Sequence, residues 1–290
     1  MDKPVLRVLF SCALSLFLAI TGLGIGVCHF TQTILFNPNT LIQVAGDCGY
    51  TQQLHSEIAR EWENLFAITG VENPEEMMSV LTRDIVNADS LNYIANAYAQ
   101  TAAVRVQQLA DQLTGKVREY AYSQTAQADR DGALEENIND LVNACIGAYK
   151  SAVEITALNT ILGTFSKIAG KLDLYACILS ILLLAFMALM YFLQRKRTHT
   201  LYYMTISAAA GGIVLLGIPA ITMQYNILAR LPFSDSAVKT LLIAYGANAI
   251  DAMVDYGTIY MIIAGILLCG YLIASAIRPH RIAAADKQQQ

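Results

Sequence analysis

The sequence predicts an all-α fold: four transmembrane helices, with a large extracytoplasmic helical bundle between the first and second spans. Three observations predict it. Apolar residues make up 55% of the 290 positions and charged ones only 14%, well under the roughly 25% charge of a soluble domain. Uncharged runs at about Val8 to Val27, Leu174 to Leu193, Leu201 to Met223 and Tyr256 to Ile277 reach the roughly 20 residues that cross a bilayer. Between the first two, apolar residues recur at steps of three and four, the stripe of helices packed on helices.

The first run follows Lys3 and Arg7 and reads as an uncleaved anchor, with a cleaved signal peptide as the alternative. Basic residues mark the cytoplasmic side. They fall at Lys3 and Arg7, at Arg195, Lys196 and Arg197, and at Arg278, Arg281 and Lys287. Both termini are therefore expected in the cytoplasm, most simply of a bacterial cell membrane. Tyr191, Tyr202 and Tyr203 suit the inner interface and Tyr175, Tyr225 and Tyr256 the outer one. The expected segments are 1–30, 31–173 outside, 174–200, 201–223, 224–255 outside, 256–277 and a tail at 278–290.

Within the outer segment, Thr31 to Gly46 shows no helical period and carries the turn signal Asn37-Pro38-Asn39, so it reads as a linker. A helix follows from about Cys48 to Thr69, with Trp62 in its apolar stripe as a core anchor and Gly70 at its end. Asn73-Pro74-Glu75-Glu76 has the form of a capped helix start, predicting a short helix to about Asn87. A longer one is expected to carry Leu91 through Tyr120.

The stretch from Leu134 to Phe192 organises the chain. Its seam of Leu134, Ile138, Leu141, Cys145, Ala148 and Ala152 continues without a recognisable stop into the second span. A water-phase helix is thus expected to become a membrane helix, with Gly163 and Gly170 as possible hinge points. After the third span, with Pro219 expected to kink its outer end, Ser234 or Asp235 is a plausible cap. The helix that follows is expected to lie on the membrane surface or to join the bundle. Small-residue pairs such as Gly22 and Gly26 predict close packing, more often internal than between copies.

Four of the six cysteines lie in or beside spans, leaving Cys48 and Cys145 outside. A lone extracytoplasmic pair predicts a disulfide, against the alternative of two separate buried thiols.

The chemistry-bearing candidates sit near the outer interface. His29, Asp173, Asp251 and Asp255, with Asn248, are placed at similar depth and would bind a metal or activate water if they converged. A solvated acidic helix face is the competing reading, and it assigns no catalytic residue, no metal and no cofactor. Asp129, Asp131 and Gly132 imitate a calcium loop, but the frame puts Gln127 first and Ile138 twelfth where a carboxylate belongs. The spans carry no Asp, Glu, Lys, Arg or His between their ends, which argues against an ion-coupled transporter. There is no phosphate loop, nucleophile elbow or zinc histidine pair. The order of spans and loops is similar to that of claudins. Their Trp-Gly-Leu-Trp and paired-cysteine pattern is missing, however, and no family is assigned.

The functional expectation is a non-enzymatic interaction or accessory subunit, contacting membrane lipids and a protein partner through its outer domain. Homo-oligomers are possible, and the acidic exterior disfavours nucleic acid. The alternatives are an outer-face membrane enzyme acting on lipid or lipoprotein, and a subunit of an oligomeric channel.

Overall fold

The computed structural model describes residues 3–99, 101, 103–104, 106–127, 132–194, 197–230 and 236–287. Every regular element among them is helical. The elements are α1 (Lys3–Phe30), a π-helical turn (Thr31–Leu35), α2 (Pro38–Asp47), α3 (Tyr50–Ile68), α4 (Glu75–Met78), α5 (Arg83–Tyr98), α6 (Gln107–Gln124), α7 (Gly132–Val153), α8 (Thr156–Leu193), α9 (Arg197–Gln224), a 3₁₀ turn (Leu228–Arg230) and α10 (Ser236–Lys287). Among the described residues four stretches are long and apolar enough to cross a membrane: Val5–Leu35, Asn159–Leu193, Thr198–Gln224 and Ala237–Ala276. The chain divides into two compact units. The first comprises 1–36, 168–230 and 246–290, and the second 37–167 and 231–245.

In the first unit α1 packs along α9. Their seam is polar as well as small. The hydroxyls of Ser15 and Ser207 lie 2.9 Å apart, and Ser207 also donates to the Ser15 and Tyr203 carbonyls, both at 2.8 Å. Such bonds orient helices in lipid, where contact between apolar side chains alone gives little drive. α10 joins through Tyr260, whose ring lies against α1 and α9 and whose hydroxyl donates to the Gly22 carbonyl. α8 joins through Met190, buried with Leu14 and Leu18, and through Phe186, whose ring stands 5.6 Å from that of Phe17. The outward faces remain apolar and open, as at Leu184 (65% exposed) and Ile266 (67%). That is the surface a lipid-facing helix presents. The expected small-residue packing is therefore internal.

The second unit has a core of aromatic and aliphatic side chains from α2, α3, α5, α6 and α7. Trp62 is fully buried and donates its indole N–H to the Cys145 carbonyl at 2.8 Å, as a core anchor would. Ala237 and Leu241 of α10 are buried in the same core, so this helix begins as a member of the bundle. The candidate cap at Ser234 or Asp235 lies outside the described residues, as do Asp129 and Asp131 of the calcium-like loop.

Several expectations need correction. Residues 31–46 are helical rather than a linker. Asn37 accepts from the Asn39 N–H at 3.0 Å, and Pro38 takes the first helical position, where its missing N–H costs nothing. Asn73 forms no cap bond and α4 is a single turn. The start that holds is Thr82, whose hydroxyl accepts from Ile85 N–H at 3.3 Å.

The expected long helices through Leu91–Tyr120 and Leu134–Phe192 are each broken, after Tyr98 and after Val153. The two breaks are linked, because the Glu154 carboxylate in one accepts the Val104 N–H of the other at 3.2 Å. α8 runs unbroken through Gly163 and Gly170, and α9 continues past Pro219 to Gln224.

The Cys48–Cys145 disulfide is not formed, and all six cysteines are free thiols. Cys48 ends α2 with its sulfur turned toward the Ala45 carbonyl of its own helix, 3.9 Å away. Cys145 points into the core instead, where burial pushes its thiol up to about 12. A disulfide needs Cα atoms within about 7 Å.

Candidate functional site

Two places carry the features of a site, one in each unit. In the first unit it is the end of α1. The π turn closes an i to i+5 bond from Phe36 N–H to the Thr31 carbonyl at 2.8 Å. Widening the helix in this way shifts side-chain register, and such turns recur at functional positions. Here His29 hydrogen-bonds through Nδ1 to the Tyr256 hydroxyl of α10, and Thr33 reaches the same hydroxyl at 3.2 Å while donating to the His29 carbonyl at 2.8 Å. Gln32 donates to Asp173 of α8 at 2.6 Å. The aromatic rings of Phe30 and Tyr256 meet edge to face at 6.1 Å.

Of the four candidates read from the sequence, His29 and Asp173 are thus engaged separately. His29 bonds a phenol and Asp173 an amide, while Asp251 and Asp255 are solvent-exposed on α10. Among the described residues no three His, Cys, Asp or Glu side chains gather as metal ligands. The arrangement ties α1 to α8 and α10 through side-chain hydrogen bonds.

Sequence reasoning missed Tyr256, Gln32 and Thr33. Tyr256 was legible only as an interfacial aromatic, although a tyrosine hydroxyl near an interface needs a partner and thereby points to one.

The second place is a groove of about 530 Å³ between the end of α3, α6 and α7. Leu65, Val117, Leu134 and Ile138 form its apolar floor and walls, and Ile68 stands 82% exposed at its edge. Tyr120 lines it, and its hydroxyl oxygen accepts the Glu72 N–H at 3.1 Å. Asp140 also lines it. Close by, Arg118 grips Glu135 through two bonds of 2.9 and 3.2 Å, and Tyr122 donates to the same carboxylate. These bonds from Arg118 and Tyr122 hold the Glu135 carboxyl below the usual carboxylate range.

The residues between 37 and 167 include 17 Asp and Glu against 8 Lys and Arg. The groove therefore combines an apolar lining with an acidic setting. No sequence signal marked it, because Ile68 and Tyr120 belong to different helices and only packing makes them neighbours.

No protein-family model, curated protein or solved structure matches the chain.

Proposed function

We propose that the chain is a non-enzymatic interaction subunit of a membrane, with both termini and the basic segment 194–200 in the cytoplasm and the second unit outside. Its groove between α3, α6 and α7 takes an amphipathic helix of a protein partner. The observation that carries this reading is the groove itself: an apolar trough lined by Leu65, Val117, Leu134 and Ile138, with Ile68 82% exposed beside it. Helix-in-groove recognition uses such a trough for the apolar face of the guest. The excess of carboxylates, with Asp140 on the wall and Glu72 beside Tyr120, calls for Lys or Arg on the guest's flanks.

Photoreactive residues at Ile68 and Asn137, with Gln52 as a control outside the groove, test this in native membranes. The expected result is a protein adduct at the two groove positions alone, on a partner peptide with an apolar face and basic residues. The adduct should be lost when Asp140 and Glu72 are both changed to Lys. Lipid-only adducts, or equal capture at Gln52, overturn the reading.

A further inference from the structure

A second cavity, of about 330 Å³, lies among all four helices of the first unit. Leu18 and Gly22 of α1, Met187 of α8, Ala208 of α9 and Ile263 of α10 each contribute to its wall. We propose that it binds one hydrocarbon chain of a membrane phospholipid, drawn from the leaflet next to the basic residues. This rests on the reading that these four helices cross a membrane.

Three observations carry the assignment. The first is size, since an apolar cavity of about 150 Å³ in a protein core already takes up benzene rather than water. This one is larger, and an unfilled void would forfeit the dispersion contacts of its whole lining.

The second is chemistry. The polar groups in the wall, Ser207 and Tyr260, already direct their hydroxyls to backbone carbonyls, Ser207 to Ser15 and Tyr203 and Tyr260 to Gly22. Among the described residues no Asp, Glu, Lys, Arg or His lines the cavity. An ion or a polar solute would find nothing to replace its hydration, whereas a hydrocarbon chain gives up nothing on entering.

The third is depth. The lining residues stand 11 to 15 positions beyond Arg7 on α1 and 7 to 11 beyond Arg197 on α9. At 1.5 Å per residue this is roughly 10–22 Å from the basic ends. A chain spanning its own leaflet reaches about 15 Å, half the hydrocarbon thickness. Its methyl end would therefore arrive at the cavity. The small side chains Ala19, Gly22 and Ala208 leave the space, and Tyr260 seated on α1 and α9 keeps α10 from closing it.

The test uses the full chain in phosphatidylcholine vesicles containing a phospholipid with a diazirine at the end of one acyl chain. After irradiation, labelled positions are mapped by mass spectrometry. Label is expected at Met187 and Met204 as well as at the outward-facing Ile266. In A208F, and independently in A19F, the cavity label should be lost while that at Ile266 persists. Cavity label unchanged in both variants, or label confined to Ile266 and Leu184 in the unaltered protein, overturns the proposal. Extraction of the protein by alkaline carbonate would instead overturn the spanning reading beneath it.

Discussion

The Tyr260 hydroxyl donates to the backbone carbonyl of Gly22, and the ring that carries it lies in a notch that only glycines leave open. A Cβ built on Gly26 would stand 3.1 Å from the Tyr260 oxygen, and one on Gly211 would stand 3.1 Å from its ring. One aromatic side chain on α10 thus engages both α1 and α9.

The bond and the notch can be separated by mutation. Y260F removes one hydrogen bond, at a cost of about 1 kcal/mol. G211L drives a branched side chain into the ring, and overpacking of that kind costs about 1–3 kcal/mol. Thermal unfolding of the detergent-solubilised protein should place G211L below Y260F. The reverse order would mean that the hydroxyl matters more than the fit.

Trp62 is the sole tryptophan and is wholly buried, so its emission should be blue-shifted in the folded state and move red on unfolding. Replacing it with Phe loses the bond to the Cys145 carbonyl and leaves unfilled volume. A destabilisation of about 2–4 kcal/mol follows from the hydrogen-bond and cavity contributions together. Denaturant titration followed by circular dichroism would show it.

Thiol chemistry separates Cys145 from Cys48. Burial holds the Cys145 thiol near 12, so almost none is thiolate at pH 8, and the sulfur is also shielded. Alkylation of the native protein at pH 8 should modify Cys48 and spare Cys145, with Cys145 reacting only after denaturation. Protein made under oxidising conditions should still carry six free thiols, and a Cys48–Cys145 crosslinked peptide would contradict the fold.

Glu135 supplies an acid-side signature. Its carboxyl is held below the usual range by Arg118 first and by Tyr122. A depressed carboxylate contributes stability above its unfolded-state value and loses that contribution as the pH falls through the lowered folded-state value. The difference in unfolding midpoint between the native sequence and E135Q should therefore be present at neutral pH and vanish in acid. Because the pair is exposed, high salt should shrink the difference as well.

How legible the fold was depended on what kind of contact made each feature. Span positions came from length and polarity along one stretch of chain, and the spanning-length helices enclose the runs read from the sequence. Trp62 as an anchor came from its place in a helical stripe, and it stands at the centre of the bundle core. The breaks after Tyr98 and Val153 were not legible, because the apolar period continues across both and the bond that stabilises them joins Val104 to Glu154. The disulfide expectation failed for a related reason. Counting cysteines outside the spans says nothing about where each helix turns its side chains, and α7 turns Cys145 inward. For the candidate residues, the sequence suggested a common depth but no azimuth: His29 meets Tyr256 and Asp173 meets Gln32, while Asp251 and Asp255 are exposed.

The bond from Val104 to Glu154 spans 50 positions. The corner after Val153 bonds its own backbone locally, Glu154 N–H to the Lys150 carbonyl at 2.8 Å. The Val104 N–H instead takes its acceptor from a side chain 50 positions on, so the chain must close a long loop before that corner is secured. Assembly of the bundle should then be late at this point: α5, α6 and α7 form early from local contacts, and the Val104 corner locks only when it meets Glu154. Removing the Glu154 carboxylate should slow that event while leaving the earlier helix formation unchanged.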